Sequence, residues 1–152
     1  MIGLGAFVPY LAEENNLIET DYSILFLARA SGYIVGALSV KLIEKYYNYH
    51  QCLGISYILS VMFAIIFSFI SGLYLSAFYI CLASIGYSWA GIFTNISTIH
   101  AFRGKNLDNW LQFLHGCFGV GGLVGPYLVL IFEFHTYTIL GIFVLGPIIV
   151  NI

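Results

Sequence analysis

Long apolar runs separated by short polar segments make up most of the chain. Residues 51–99 contain no Asp, Glu, Lys or Arg, and their apolar positions are continuous rather than alternating. Continuous runs are typical of helices, whereas the strands of a membrane barrel alternate. A helix crosses the hydrocarbon core with about 20 residues. The pattern therefore predicts six transmembrane helices, the first and the last incomplete, at about 1–12, 21–43, 51–70, 73–99, 109–132 and 137–152.

The composition narrows the class of protein further. Hydrophobic residues make up 61% of the chain and charged residues 8%, whereas about a quarter of the residues of soluble domains are charged. A soluble domain of this size could not bury so much apolar surface. We predict an all-α polytopic membrane protein, with residues 1–152 as a single membrane domain and the lipid bilayer as its partner. The net charge of −2 and the lack of a basic tract argue against nucleic acid as a partner.

The basic residues predict an orientation. Four of them lie in or beside the connections that follow the second and fourth predicted helices: Lys41, Lys45, Arg103 and Lys105. By the positive-inside rule, these connections are expected in the cytoplasm. Because the chain begins and ends inside predicted helices, we also expect it to be a fragment of a longer protein.

The predicted helix 109–132 combines polar side chains with helix-breaking residues. It contains Gln112, His115, Gly119, Gly121, Gly125 and Pro126. Gly121 and Gly125 have the spacing that lets a neighbouring helix approach closely, and Pro126 removes a backbone donor and tends to kink a helix. We predict a bent helix, typical of a moving part of a transporter, with these residues and Gly119 as its packing and hinge region.

Two stretches carry a resemblance to a known family. The first is LARASGYIVGALSVKLIEKYYNYHQ, a glycine-rich helix end followed by a short basic turn. The second is NISTIHAFRGKNLDNWLQFLHGCFGVGGLVGP, which resembles the sodium-dependent glucose transporter-like and fucose permease-like branch of the major facilitator superfamily. The matching residues are Asn95, Leu114, His115, Phe118, Gly119, Gly121 and Pro126. The resemblance implies the amino-terminal half of a twelve-helix facilitator bundle, with the missing carboxy-terminal half as its partner.

The chain departs from that family at two positions. Val40 stands where the loop motif of the superfamily has an acidic residue, and Gly91 stands where the branch commonly has one. The predicted helix 73–99 therefore has no carboxylate to support coupling to a Na⁺ or H⁺ ion. We expect no other cofactor and no metal.

Polar residues inside apolar helices are the candidates for a substrate site. Arg29 lies near the middle of its predicted helix, where a charge is costly unless it faces a cavity or a partner. It either lines a translocation path or forms a structural ion pair. Asn95 is either a substrate contact or a helix-packing contact. Gln112 and His115 are nearly one turn apart and share a face, which is suited either to recognising sugar hydroxyls or to an interhelical hydrogen bond.

Aromatic residues offer a second means of binding a sugar. Tyr33, Tyr87 and Trp89 are able to stack on a sugar ring, although aromatic residues make up 18% of the chain and packing is favoured for any one of them. The prediction is a secondary transporter of a small neutral solute, a hexose above all, in the plasma membrane. The alternative is a non-transporting membrane scaffold or sensor that retains the carrier fold. Since the chain lacks a nucleophile–base pair and a phosphate loop, we do not expect an enzyme.

Overall fold

Four helices form the part of the chain that the structure, a computed structural model, describes. The described residues are 19–68, 72–104 and 106–131. The helices are α1 (Glu19–Glu44), α2 (Tyr49–Ser68), α3 (Leu73–Ala101) and α4 (Leu107–Ile131). Their bounds lie within two residues of the four middle helices that the apolar runs predict. The predicted helices 1–12 and 137–152 lie outside the described residues.

The prediction of about six transmembrane helices in a facilitator-type bundle is wrong. Among the described residues there are four helices, and two of them are long and apolar enough to cross a membrane, at Asp21–Glu44 and Leu73–Ala101. An apolar run shows that a helix avoids water, but a helix that is apolar all round is either a membrane span or buried among other helices. The apolar pattern therefore overcounts the crossings. The two long helices give a hint of membrane association.

The α1–α3 interface is built on two glycines that admit a neighbouring backbone. A Cβ atom at Gly32 would overlap the carbonyl oxygen of Cys81. A Cβ atom at Gly36 would lie 2.6 Å from the Cβ of Ser88 and 2.9 Å from the carbonyl oxygen of Ile85. Contacts this close need residues without a side chain. Since the partners on α3 advance along the chain together with the glycines of α1, the two helices run parallel.

At the α2–α3 interface a glycine again allows two backbones to approach closely, but the two helices run in opposite directions. A Cβ atom at Gly86 would lie 2.6 Å from the Oγ of Ser60 and 3.0 Å from the carbonyl oxygen of Ser56. At the end of the interface, the ring of Tyr49 at the start of α2 stacks on the ring of His100 near the end of α3, with centroids 5.1 Å apart. These contacts make α2 antiparallel to α3. Helix α3 is therefore the centre of the fold, with α1 and α2 packed along it.

The described core is small, and most large apolar side chains face outward. Phe93 is fully buried and packs with Val40, Cys52 and Leu53. Only 22% of the membrane-length window of α1 is buried, compared with 44% for α3. The exposed apolar side chains include Leu27, Ile34, Leu38 and Leu42 on α1, Ile58 and Met62 on α2, and Phe113, Phe118 and Leu123 on α4. Such a surface suits contact with lipid or with further apolar helices better than contact with water.

Candidate functional site

One edge of the α1–α3 pair carries polar side chains near the middle of both helices. Residues four apart lie on one face of a helix, so Arg29 and Tyr33 share a face of α1. On α3, the residues Tyr87, Gly91 and Asn95 follow each other at the same interval. We call these five residues the polar face.

One contact joins the α1 and α3 parts of the polar face. The hydroxyl oxygen of Tyr33 lies 4.0 Å from the position that a Cβ atom would take at Gly91. The register of Gly32 against Cys81 puts the backbone of Arg29 level with Phe78, so Tyr33 is the α1 residue of the polar face with a described contact to the α3 part.

The polar face combines a central position with partial access from outside. Tyr87 is the middle residue of α3, and Arg29 lies in the central part of α1. Arg29, Tyr87 and Asn95 are partly buried, while 44% of the surface of Tyr33 is exposed. A guanidinium group, two phenols and an amide supply several hydrogen-bond donors and acceptors, together with two aromatic rings. This set suits a solute that carries hydroxyl groups.

Asn95 has unused hydrogen-bonding capacity. Its Oδ1 atom is buried and has no hydrogen-bond partner among the described residues. A buried amide oxygen without a partner costs about 1–3 kcal/mol, and such an atom requires an explanation. Nearby on α3, the Oγ of Thr94 has partners, since it donates to the carbonyl oxygen of Ala90 at 2.7 Å and lies 3.4 Å from the hydroxyl of Tyr57. The Oγ atoms of Ser88 and Ser97 are also buried without a partner among the described residues, so Asn95 is one of three such side chains on α3.

Trp89 lies on the opposite edge of the α1–α3 pair, where it forms hydrogen bonds between the two helices. Its Nε1 donates to the carbonyl oxygen of Gly36 at 2.9 Å and to the Oγ of Ser39 at 2.9 Å. The hydroxyl of Ser39 itself donates to the carbonyl oxygen of Gly36 at 3.0 Å. Trp89 therefore joins two helices through its indole nitrogen. The sequence indicated only that packing was favoured for this residue, and the hydrogen bonds became evident from the register of α1 against α3.

Gln112 and His115 lie on α4, which makes only sparse contact with α3. Both side chains are exposed, and the ring of His115 is tilted against the ring of Phe118 with centroids 6.4 Å apart. No described hydrogen bond or ion pair joins either residue to Arg29 or Asn95. No described hydrogen bond or ion pair joins Arg29 to Asn95 either, so the predicted roles of all four residues stay predictions.

The glycines of α4 have open surroundings in the described part of the chain. A Cβ atom at Gly119 or Gly121 would meet no described atom within 4 Å. At Gly125 and Pro126 the structure describes the backbone, and α4 continues through both positions. Close packing and hinge bending at these four residues therefore stay predictions. The glycines that the structure does pack closely are Gly32, Gly36 and Gly86, and the four-residue spacing of the first two was the available signal.

No group of three or more His, Cys, Asp or Glu residues suited to a metal ion occurs within the described ranges. This finding concerns only residues 19–68, 72–104 and 106–131.

Comparison with known proteins gives one distant relative. Over 129 residues the chain is 26% identical to "Bypass of stop codon protein 6" of Saccharomyces cerevisiae. The match covers 83% of this chain and 25% of the yeast protein, so the chain spans about a quarter of the length of that relative. No family model matches the chain, and no solved structure matches it significantly. The chain is similar to this yeast protein, and its resemblance to the facilitator family stays a prediction.

Proposed function

We propose that this chain is part of a secondary transporter, which moves a small neutral solute across a membrane by alternating access. A hexose is the solute that fits the polar face best. The observation that carries the proposal is the position of Arg29, which is partly buried near the middle of α1, a helix that is long and apolar enough to cross a membrane. A charge at the centre of a bilayer costs about 2.5–3.5 kcal/mol even on the more permissive scales. Such residues usually line a polar path.

The helix directions support a multi-pass arrangement. Helices α1 and α3 pack parallel to each other, as the contacts of Gly32 and Gly36 require. A chain that crosses a membrane twice in the same direction has to cross back between the two passages. Helix α2 is the described element between them, it runs antiparallel to α3, and its 20 residues span about 30 Å at 1.5 Å per residue. We therefore propose three crossings by α1, α2 and α3, with a plasma membrane as the site of uptake.

The chemistry of the polar face supports a polyhydroxylated solute. The guanidinium of Arg29 donates up to five hydrogen bonds, and the phenols of Tyr33 and Tyr87 both donate and accept. The buried Oδ1 of Asn95, which has no hydrogen-bond partner among the described residues, is a further acceptor on α3. The aromatic rings are able to cover the apolar C–H face of a sugar. Helix α3 contributes no carboxylate to this face, so the proposal involves no coupling ion.

Uptake of labelled solutes into cells that express the full coding region tests the proposal. Arg29→Ala is expected to lower kcat/KM for a hexose about 10-fold or more, because hydrogen bonds to charged groups contribute about 1.5–3 kcal/mol. Arg103→Ala is the matched control, since Arg103 is exposed in the turn after α3. Surface expression and thermal unfolding of both variants are measured in parallel.

Three results of this experiment would change the proposal. Saturable hexose uptake that Arg29→Ala leaves intact would contradict the role of the polar face. Competition by organic anions, but not by sugars, would show that Arg29 binds a negative charge. A lack of saturable uptake for any solute would favour the scaffold or sensor.

A further inference from the structure

One end of the described helices contains most of their basic residues. Because α1 and α3 are parallel and α2 is antiparallel to α3, helices α1 and α3 end where α2 and α4 begin. The stack of Tyr49 on His100 joins the start of α2 directly to the end of α3. Apart from Arg29 within α1, every described Lys and Arg lies at this end, namely Lys41, Lys45 and Arg103. We call these three residues the basic end.

The cations of the basic end are available to an external partner. All three side chains are exposed. Two exposed carboxylates, Glu44 and Asp108, also lie here, and no ion pair among the described residues joins them to the three cations. One positive charge is therefore in excess. At the opposite end the described charged residues are Glu19 and Asp21, both acidic. The distribution of charge along the helices thus favours an anionic partner at the basic end.

Exposed aromatic rings lie among the cations. Tyr46 and Tyr47 are in the turn after α1, and Trp110 is in the first turn of α4. The Nζ atom of Lys45 lies 5.7 Å from the centroid of the Tyr46 ring, within the range of a cation–π interaction. The ring of Trp110 stacks on that of Phe102 with centroids 4.2 Å apart. Tyr and Trp side chains are enriched at the level of the lipid headgroups, which is also the level of the lipid phosphates.

We propose that the basic end binds the headgroups of anionic phospholipids in the leaflet that it faces. The phosphate oxygens accept charge-assisted hydrogen bonds from Lys and Arg, and the rings of Tyr46 and Trp110 hold the cations at the depth of those oxygens. One cation near an anionic surface increases the affinity about fivefold. The inference goes beyond the transport proposed above and does not depend on it, since it requires only that α1 and α3 cross a membrane.

Quenching of tryptophan fluorescence by brominated lipids measures the lipid preference. The chain has two tryptophans, so Trp89→Phe leaves Trp110 as the single probe, at the basic end. The full chain with this substitution is reconstituted in mixed vesicles in which either phosphatidylserine or phosphatidylcholine is brominated. Since one positive charge is in excess, we expect a binding constant about fivefold higher for phosphatidylserine. The preference should be largely lost in 1 M salt, where the Debye length is about 3 Å.

Charge substitutions identify the residues that bind the headgroup. Lys45→Gln, Lys41→Gln and Arg103→Gln each remove one cation, and each is expected to lower the relative binding constant for phosphatidylserine about fivefold. Glu44→Gln is the matched control of opposite sign, because it removes a negative charge at the same end, and it is expected to raise that constant about fivefold. All four side chains are exposed, so thermal unfolding is expected to change little.

Three results would overturn the inference. The first is equal quenching of Trp110 by the two brominated lipids at low salt. The second is a preference that Lys45→Gln and Glu44→Gln change in the same direction. The third is a preference that millimolar inorganic phosphate removes, since the basic end would then bind free phosphate. A phosphatidylserine preference that responds to the charge substitutions supports the inference even if the full coding region shows no saturable uptake, so this inference and the proposed function fail separately.

Discussion

Glycines occur in two regions of this protein, and the described contacts around them differ. In the α1–α3–α2 region, Gly32, Gly36 and Gly86 each lie where a side chain would collide with a neighbouring helix. On α4, Gly119 and Gly121 lie where a side chain would meet no described atom within 4 Å. Among the described residues, therefore, the close approaches lie at the glycines of α1 and α3 and not at these two glycines of α4.

The difference between the two regions has a physical cause. In lipid, apolar side chains gain little by leaving one apolar environment for another, so helices associate through close van der Waals packing and hydrogen bonds. The α1–α3 contact has both, since the backbones touch at Gly32 and the indole of Trp89 donates to the carbonyl oxygen of Gly36. Helix α4 contacts α3 only sparsely. A glycine contributes to stability only where a partner backbone is present.

The largest expected effect is at Gly32. We predict that Gly32→Val lowers the free energy of unfolding by about 3 kcal/mol or more, because the added Cβ atom overlaps the carbonyl oxygen of Cys81 and a backbone atom cannot rotate away. The thermal unfolding of the purified protein in detergent measures the change. Gly121→Val is the matched control on α4 and is expected to be close to neutral.

The close approach of α1 to α3 can still be tested if Gly32→Val does not fold. The smaller variant Gly32→Ala places the same Cβ atom against Cys81 and is expected to unfold at a lower temperature than the unmodified chain. If both Gly32 variants matched Gly121→Val in stability, the close approach of α1 to α3 would be wrong.

The second-largest effect is expected at Gly86. The change in stability there is expected to have the opposite sign from that of the control variant. Gly86→Ala is expected to destabilise the protein by about 2 kcal/mol, because its Cβ atom would lie within 3.0 Å of atoms from Ser56 and Ser60. Gly119→Ala, which meets no described neighbour, is expected to stabilise by up to about 1 kcal/mol through helix propensity. The same measurement of thermal unfolding decides the sign. Removing the Ser60 hydroxyl should rescue Gly86→Ala only in part, since the backbone nitrogen of Ser60 remains at 2.8 Å.

The smallest expected effect is at Trp89. Trp89→Phe keeps an aromatic ring but removes the hydrogen bonds to Gly36 and Ser39, and we expect a loss of about 1 kcal/mol. Trp110→Phe is the control, because the ring of Trp110 stacks on Phe102 and phenylalanine retains that stack. Equal losses for the two substitutions would show that ring packing, and not the indole nitrogen, stabilises the α1–α3 pair.

Much of the helical structure, but little of the site, follows from the sequence. The apolar runs predict helices close to the observed α1 and α3. A continuous apolar segment in an apolar environment forms a helix, because a helix satisfies the hydrogen bonds of its backbone within the segment. Arg29 stands out in the sequence, since a charge inside such a run is costly. The number of membrane crossings was overestimated, because apolarity alone does not distinguish a helix that faces lipid from a helix that is enclosed by others.

Which residues lie next to each candidate site residue depends on how α1 and α3 are aligned along each other. The sequence does not specify that alignment. Tyr33 and Gly91 are 58 positions apart in the chain, and they meet because α1 and α3 are parallel with a particular offset. Trp89 and Ser39 are 50 positions apart and meet on the other edge of the pair. The sequence offered Tyr33, Tyr87 and Trp89 as equivalent aromatic candidates. The structure separates them into two groups on opposite edges.

The all-helical character of the described chain and the apolar nature of its surface follow from the sequence alone. Both result from the composition and from apolar runs that are long enough to form helices with their own backbone hydrogen bonds. Which glycines pack, which polar groups meet and which side of α3 each partner occupies became evident from the tertiary contacts. Those choices depend on contacts of a few ångströms between residues distant in the chain, such as Gly32 and Cys81. Since small-residue spacing is common to α1 and α4, the contact and not the spacing distinguishes the two helices.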